Sequence, residues 1–228
     1  MTAVYSTDKN AFLSKYFTFN HFYDIMNAES EGYTMQMKDR TKLMFAEELE
    51  KLLETKSFDK VRVLDLCKRC GATPQTFYYH FKDKYELAAW IFLHDFAYIM
   101  GDTDPGYSAE RIAAMTQHMK ERKTFYQRAY NDHSQNAIDR YINRFNIENA
   151  VNIVKVVSGI DELTEEQIIA IKYHAYGVIG LFHELIFDEL NVDVDKLSAF
   201  QYEKTPDFLK QAFEQYRYNS EDILNTEK

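Results

Sequence analysis

The chain has 228 residues, of which 46% are hydrophobic and 15% aromatic, so it is long enough and apolar enough to bury a core of its own. No apolar run reaches the roughly 18 to 20 residues that span a bilayer, and the N-terminus lacks the basic and then apolar pattern of a secretory signal. We therefore expect no membrane span and a cytoplasmic location. With only two cysteines, the chain also has no disulfide framework.

The acidic balance is unevenly distributed along the chain. The formal net charge of −9 divides into −2 for residues 1–35, +3 for residues 36–85 and −10 for residues 86–228. Only charges within about 10 Å of a polyanion act strongly on it, so a local basic segment is enough for binding nucleic acid. The pattern permits a basic reading head on an acidic body.

The first 35 residues are rich in aromatic side chains. They offer only Lys9 and Lys15 as cations, whereas an arm that enters the minor groove of DNA needs arginine or lysine. We therefore predict an N-terminal extension over residues 1–35 that forms an additional helix packed on protein. Its aromatic residues are Tyr5, Phe12, Tyr16, Phe17, Phe19, Phe22, Tyr23 and Tyr33.

A three-helix unit is predicted over residues 36–84. Its first helix spans residues 38–55 and carries one apolar stripe, and its second spans residues 62–70. The buried face of the second helix, at the spacing i, i+3, i+4 and i+7, is formed by Val63, Leu66, Cys67 and Cys70. Gly71 can take a left-handed conformation and so ends that helix.

The third helix of this unit is predicted over residues 74–81. Thr73 can cap it through its hydroxyl, and Pro74 fits the first helical position, where its missing N–H is no loss. Phe77 and Phe81 lie four residues apart and point inward. The side chains left on other faces, with Tyr78 near the boundary, are Gln75, Thr76, Tyr79 and Lys82. They are hydrogen-bonding groups of the kind that read bases and phosphates.

This run of residues resembles the DNA-binding domain of the tetracycline-repressor (TetR) family of bacterial transcription regulators. The matching positions are Lys68 to Gly71, Thr73, Thr76 to Phe81, Lys84 and Leu87. The stretch QTFYYHFKDKYEL also resembles the branch that includes regulators of dihydroxyacetone kinase operons. Together, the resemblance and the outward positions predict DNA contacts from Arg62, Thr73, Gln75, Thr76, Tyr78, Tyr79, Lys82 and Lys84. The resemblance implies a phosphate contact for Lys84, whereas Arg62 departs from the hydroxyl usual at its position.

The rest of the chain, residues 85–228, is predicted to form a helical body. Asp83 and Glu86 give a capping box for a helix running to about Met100, and a Gly- and Asp-rich break follows at residues 101–106. Further helices are predicted over residues 108–131, 134–157, 164–190, 194–203 and 206–219. Thr164 with Gln167 forms a second capping box, and Thr205 before Pro206 is a further start signal. The predicted fold class is therefore all-α.

The helix over residues 164–190 is apolar on almost every side, so it needs two packing partners. One is its own core, and we expect the other to be the same helix of a second chain. The resemblance implies the same pairing, in a two-fold dimer that presents two heads to a roughly palindromic operator in double-stranded DNA. The predicted interface residues are Tyr173, Gly177, Gly180, Leu181 and Glu184.

Aromatic and methionine residues of the body have two interpretations. They form plain core, or they line a pocket for a small-molecule effector, as such residues do in regulator bodies. The candidate pocket residues are Tyr98, Met115, Met119, Tyr126, Phe145 and Tyr173. No cofactor is expected.

The C-x-x-C pair of Cys67 and Cys70 is interpreted as core packing, because no further pair of ligands completes a zinc site. No nucleophile with a matching base and no phosphate loop is found, so no catalytic residue is proposed. The leading hypothesis is a dimeric transcription regulator that represses or activates. The alternative is a helix-turn-helix protein that no longer binds DNA and serves as a protein-interaction adaptor or coactivator.

Overall fold

The structure is a computed structural model that describes residues 37–102, 106–132 and 138–224. The chain divides into two units, Met1–Thr41 and Lys42–Lys228, and the second unit carries the features described below. The predicted N-terminal extension lies outside the described residues, and the predicted domain boundaries stay predictions.

Helices account for the regular structure of the described residues, where an isolated bridge between Gly101 and Tyr218 is the only extended pairing. The predicted all-α class is therefore confirmed for this part of the chain. The α-helices are α1 (Met37–Leu53), α2 (Val63–Arg69), α3 (Pro74–His80), α4 (Lys84–Met100), α5 (Ala109–Glu121), α6 (Lys123–Tyr130), α7 (Ile138–Ser158), α8 (Glu165–Ile186), α9 (Val194–Lys204), α10 (Asp207–Gln215) and α11 (Ser220–Leu224). A 3₁₀ turn spans Phe58–Lys60. In the described ranges, no helix is both long and apolar enough to cross a membrane.

Helices α1, α2 and α3 share a small apolar core, and together they are called the head. Phe77 of α3 is fully buried, and its ring lies 5.1 Å from that of Phe45 of α1 and 5.7 Å from that of Phe81. Leu66 of α2 is buried in the same unit. Because aromatic side chains bury a large area at fixed ring geometry, these contacts set the orientation of α3 on the head.

Helix α4 runs from the head into the body and is buried on most of its surface. Trp90 lies 6.0 Å from the ring of Phe81 at the head end, and α4 then packs against α5, α7 and α11. Asp83 caps its start by accepting from the backbone N–H groups of Tyr85 and Glu86. The predicted capping box is modified, because the Glu86 carboxylate accepts from the N–H of Lys82.

The body is completed by pairs of helices that pack across α4. Helix α5 packs along α9, and α7 packs against both α8 and α10. The capping box predicted for Thr164 and Gln167 at the start of α8 is confirmed, because both reciprocal hydrogen bonds form, at 3.2 and 2.9 Å. These helices surround a cavity.

One predicted helix of the body is divided in the structure, and another is shorter than predicted. The helix expected over residues 108–131 breaks at Arg122, whose φ of −95° and ψ of 26° separate α5 from α6. The helix expected over residues 206–219 ends at Gln215, because Tyr216 has an extended backbone, and α11 starts after it. A period of apolar residues continues through such breaks, so the sequence pattern does not mark them.

The predicted cap at Thr205 is wrong. Its buried hydroxyl donates to the carbonyl of Gln201, 2.8 Å away, and pairs with the Tyr107 hydroxyl at 2.8 Å, while Pro206 takes the N-cap position of α10 without a side-chain cap. The hydroxyl is needed to satisfy a buried tyrosine, and this tertiary demand overrides the local start signal.

A buried carboxylate joins the head to the body. Asp95 of α4 accepts from the Tyr126 hydroxyl at 2.6 Å and pairs with Nε2 of His118 at 3.0 Å. The guanidinium of Arg122 donates to Asp95 with one nitrogen and to Glu50 of α1 with the other. A buried charge is stable only when it is paired and hydrogen-bonded, so these residues hold α1, α4, α5 and α6 together.

The pKa of His118 is raised in this network. Burial disfavours the charged imidazolium, but the carboxylate of Asp95 more than offsets this effect, so the pKa lies above its ordinary value of 6.5. A group with a raised folded pKa stabilises the protein fully below its unfolded pKa and loses this contribution as the pH rises through the folded pKa.

We therefore predict that His118→Gln destabilises the protein more at about pH 5.5 than at about pH 8.5. Glutamine can still donate one hydrogen bond to Asp95, but it cannot acquire a charge. The expected loss at the lower pH is about 1.5 kcal/mol, the low end for a hydrogen bond to a charged group. Urea unfolding of both proteins at the two pH values measures it, and a difference that is constant or grows with pH would contradict it.

Candidate functional site

Helices α2 and α3 are joined by a tight turn at Gly71. Gly71 has a φ of +61°, and the N–H of Ala72 donates to the carbonyl of Cys67 at 2.9 Å, the long-range bond of a Schellman motif. Only glycine adopts this conformation without strain. The predicted role of Gly71 as a left-handed helix terminator is confirmed, and the turn fixes the angle between the two helices.

The start of α3 follows the predicted signals. The N–H of Thr76 donates to the Thr73 hydroxyl at 3.1 Å, and Pro74 occupies the first helical position. The hydroxyls of Thr73 and Thr76 also lie 2.9 Å apart and share a hydrogen bond. Because these groups are exposed or half-buried, they satisfy the end of the helix and still border solvent.

The outer face of α3 is uncovered in the second unit. Tyr79 is 74% exposed and Tyr78 is 59% exposed, while Gln75 and Lys82 are also exposed. Tyr78, predicted near the boundary, therefore belongs to the outer face, where its ring edge rests on Phe77 at 5.6 Å. Two neighbouring tyrosines and an amide offer donors, acceptors and flat apolar rings in one row.

Arg62 lies just before α2, on an exposed extended residue at the N-cap position. Its side chain makes no capping bond, in keeping with the departure from a hydroxyl at this position. Within the described ranges its guanidinium has no protein partner, whereas the nearby Arg69 pairs with Glu48 at 2.7 Å. Arg62 is therefore the better placed of the two arginines to meet a phosphate.

Lys84 is placed differently from what the resemblance implied. Its ammonium donates to the backbone carbonyls of Phe58, Asp59 and Val61 at 2.7, 3.1 and 3.1 Å. It also lies 5.0 Å from the centre of the Phe58 ring, and burial lowers its pKa. An ammonium has three donors, and all three are engaged. In the absence of DNA the ammonium is therefore held by the 3₁₀ turn, and the phosphate contact that the resemblance implies stays a prediction.

Leu64 is a surface residue of α2 that the sequence analysis did not single out. It is 57% exposed on a helix whose buried stripe contains Leu66 and Cys67. The signal was available, because position 64 falls outside the i, i+3, i+4 series that begins at Val63. An exposed leucine in the first turn of α2 offers an apolar contact of the kind that meets a thymine methyl group.

The C-x-x-C pair lies within the packed head. Cys67 is buried, and the half-buried thiol of Cys70 lies 3.6 Å from the carbonyl of Met44. Burial is the main cause that raises the pKa of Cys70 to about 11, so the thiol stays protonated at neutral pH. Among the described residues, no three histidine, cysteine or acidic side chains come together as a metal site would require.

A second uncovered surface runs along α8. Its inner side is buried, but Tyr173 is 83%, Ile169 60% and Tyr176 56% exposed. Gly177 and Gly180 lie on the same outer side, and a methyl group added at either would meet no atom of this chain within 4 Å. The glycines are therefore not required by the packing within the chain. Of the other predicted interface residues, Glu184 is exposed and Leu181 half-buried on this helix.

The body contains a cavity of about 160 Å³, bounded by α4, α5, α7, α8, α9 and α10. Two of the predicted pocket residues, Met115 and Met119 of α5, line it. The other four predicted pocket residues are not among the residues that line it. Tyr173 points to solvent, and Tyr126 is fully buried with its hydroxyl on Asp95.

The remaining two predicted pocket residues, Phe145 and Tyr98, pack outside the lining of the cavity. Phe145 packs edge-on against Phe92 and Phe96 at 5.5 and 5.2 Å, and these two rings form the wall. The ring of Tyr98 lies 5.9 Å from that of His118. Polar lining residues such as His174 and Gln201 could not be recognised from the sequence, because a helical period does not distinguish a cavity wall from tight core.

A curated protein and a solved structure are similar to this chain. The HTH-type dhaKLM operon transcriptional activator DhaS of Lactococcus lactis subsp. lactis is 26% identical over 91 residues, which are 40% of this chain and 49% of that protein. The alignment therefore spans about half the length of this curated relative. A solved structure titled "Dihydroxyacetone kinase operon activator DhaS" has a TM-score of 0.51 and 20% identity, and the match covers 75% of this chain and 96% of that one. At this identity the likeness concerns the fold alone.

Two family descriptions match the parts of the chain in the expected order. "Bacterial regulatory proteins, tetR family" matches residues 47–90, which contain the turn at Gly71 and the outer face of α3. "Transcriptional regulator C-terminal region" of the same family matches residues 108–202, which contain the cavity and α8. The two matches together cover more than half of the chain, and they agree with its helix-turn-helix geometry. The chain belongs to the TetR family of transcription regulators, which bind DNA and are not enzymes.

Proposed function

We propose that this regulator binds a roughly palindromic operator in double-stranded DNA as a homodimer, and that a small molecule in the body cavity changes its DNA affinity. The observation that carries the proposal is the outer face of α3, where tyrosines and an amide stand exposed on a helix held by buried aromatic rings. A helix of this kind enters the major groove and reads base edges. Because its target is operator DNA, we place the protein in the cytoplasm.

The exposed residues divide into two roles. Gln75 can make paired hydrogen bonds to an adenine edge, and Tyr78 and Tyr79 can contact bases, sugars or the thymine methyl group. Arg62 and Lys82 are exposed cations on either side of α3, and they are suited to phosphates. The hydroxyls of Thr73 and Thr76 border the start of α3 and are groups of the kind that donate to phosphate oxygens.

We predict that Gln75→Ala weakens binding to the operator by about 1 to 3 kcal/mol and relaxes the base preference at one position of each half-site. Tyr79→Ala is expected to weaken binding as well, because it removes an exposed ring without touching the core. The control is Gln211→Ala, an exposed glutamine of α10 in the body. Fluorescence anisotropy with an operator selected from genomic fragments measures the effect, and equal affinity of all four proteins would contradict it.

Lys84 has a positioning role in this proposal. Its ammonium ties the start of α4 to the 3₁₀ turn that precedes α2, through three carbonyls that lie 23 to 26 residues earlier in the chain. Val61 is adjacent to Arg62, so the same bonds fix the backbone from which Arg62 reaches out. Charged hydrogen bonds to backbone carbonyls are stronger than neutral ones, which suits them to hold a loop.

Two lysine variants separate positioning from phosphate contact. Lys84→Met is expected to lower the free energy of unfolding by about 2 kcal/mol, because it leaves carbonyls unpaired at the turn, and to weaken DNA binding as a consequence. Lys82→Met should leave stability unchanged, since Lys82 is exposed, and should reduce the salt dependence of DNA binding by about one phosphate contact. Urea unfolding and binding at several salt concentrations test both, and the reverse pattern would restore the phosphate contact to Lys84.

The exposed face of α8 supports the homodimer. Ile169, Tyr173 and Tyr176 form an uncovered apolar stripe, and the glycines beside it leave room for a second helix to approach closely. Val156 of α7, which packs on α8, adds to this surface with 61% exposure. Apolar patches of this kind on a folded chain mark interaction sites, and a two-fold axis lets one patch pair with its own copy. Two heads would then meet half-sites separated by about 34 to 36 Å or a multiple of it.

We predict that Ile169→Asp converts the dimer into a folded monomer and lowers operator affinity by more than about tenfold, because each monomer presents only one head. The side chain is exposed in the single chain, so its replacement costs the fold little. Phe200→Asp serves as the matched control, since Phe200 is 53% exposed on α9. Sedimentation and anisotropy measure the two effects, and an Ile169→Asp protein that stays dimeric would exclude this interface.

The path from the cavity to the head supports regulation by a small molecule. Met115 and Met119 of α5 line the cavity. Arg122 directly follows α5, and its guanidinium binds Asp95 of α4 and Glu50 of the head. A ligand that favours one position of α5 therefore favours one position of α1. A ligand shifts an equilibrium only through such differential contacts, and these residues provide them.

The target operon and the alternative function are tested together. The curated relative is named for a dhaKLM operon and the similar solved structure for a dihydroxyacetone kinase operon, and we take an operon of that class as the first candidate target. Selection of bound fragments from genomic DNA gives the half-site spacing, the neighbouring genes and whether the site suits repression or activation. A folded dimer that ignores all fragments at low salt and copurifies with another protein would favour the adaptor function instead.

A further inference from the structure

The cavity of the body has a strongly apolar wall. Its described lining contains no aspartate, glutamate, lysine or arginine side chain. Aromatic and aliphatic residues from six helices form most of the surface, among them Phe92, Phe96, Ile179 and Phe182. A charged group that enters such a space loses its hydration without gaining an ionic partner. The wall therefore selects against ions.

Three polar side chains of the lining have no hydrogen-bond partner among the described residues: Thr116 of α5, His174 of α8 and Gln201 of α9. Gln201 is only 6% exposed and Thr116 only 8%, so solvent at the outer surface does not satisfy them. Burial lowers the pKa of His174, which keeps the imidazole neutral and able to accept or donate.

Other polar residues of the lining show what satisfied groups look like here. The side-chain N–H of Asn149 donates to the Tyr218 hydroxyl at 3.0 Å, and that of Asn146 donates to the Ile142 carbonyl at 2.8 Å. Buried polar groups in folded proteins are nearly always paired, so an unpaired amide facing a cavity points to an occupant.

We infer that the cavity binds a compact, uncharged ligand with an apolar body about the size of one aromatic ring and a single hydrogen-bonding group, such as a hydroxyl, that meets Gln201 or Thr116. This inference rests on the proposed function only in treating the cavity as the effector site. The ligand binds to the body whether or not DNA is present.

The size of the ligand follows from the volume. A cavity of about 150 Å³ lined by leucine, isoleucine and phenylalanine accommodates benzene, and the cavity here measures about 160 Å³. A small polyol fits the same volume but carries a hydroxyl on every carbon. Most of those hydroxyls would face the apolar wall without partners, so a polyol gains less than it loses in hydration.

Titration of the full-length dimer with four small probes tests the ligand class. Phenol and toluene have the same shape and differ in one hydroxyl, glycerol represents a polyol, and benzoate represents an anion. We expect saturable phenol binding by calorimetry, with glycerol and benzoate at least about tenfold weaker. Glycerol or benzoate binding as tightly as phenol would overturn the inference, as would the absence of phenol binding.

Two matched variants locate the polar contact. Gln201→Leu and Thr116→Val each replace a polar side chain with an apolar one of similar shape. At least one of them should weaken phenol binding about five- to tenfold while toluene affinity stays within about twofold. Toluene binding thereby shows that the cavity is intact, and phenol and toluene changing together in both variants would overturn the inference. Operator binding without probes is measured on the same samples, so a failed ligand test and a failed DNA-binding function are distinguishable.

Discussion

The pairing of the buried Asp95 carboxylate is the interaction on which the arrangement of head and body depends. Asp95 lies on α4, the helix common to both parts, and its partners come from α5, α6 and the break between them. Without those partners the carboxylate would be an unpaired charge in the interior, which costs several kcal/mol. The folded protein therefore retains all of these hydrogen bonds and ion pairs, and any movement within the network involves several helices at once.

Arg122 connects this network to the head. One side of its guanidinium meets Asp95 and the other meets Glu50, a residue of the first head helix. The residue at the break between α5 and α6 is thus also the residue that pairs with the head. The break in the helix and the long-range ion pair therefore depend on the same residue. A continuous helix over this stretch would carry the same side chain along a different course, because each helical residue fixes the direction of its Cβ.

Local sequence signals predicted the helices of the head, but contacts between residues distant in sequence could not be predicted. Gly71, Thr73 and Pro74 act through their own backbone geometry, so their effects can be recognised within four or five residues. The carbonyls that surround Lys84 come from a turn more than twenty residues earlier, and no spacing rule brings them together. The hydroxyl of Thr205 illustrates the same limit, since it pairs with the buried hydroxyl of Tyr107, which is distant in sequence.

For helix α8, the structure was needed to show which neighbour covers each apolar side. The sequence indicated that it has two partners, and Tyr173 fitted both a pocket and an interface. In the fold, Ala175 and Ile179 face the cavity, and Tyr173 stands on the opposite side. Periodicity reveals how many residues are apolar and at what angles, but it does not identify which neighbour covers each angle.

Trp90 is the only tryptophan of the chain, and it stands where the head meets α4. Its ring is buried between Phe81, which directly follows α3, and His94, and the ammonium of Lys42 lies 5.4 Å from its centre. Indole emission responds to nearby charges and to solvent. A reorientation of the head relative to α4 should therefore change the fluorescence of Trp90, and it can be followed without an added label.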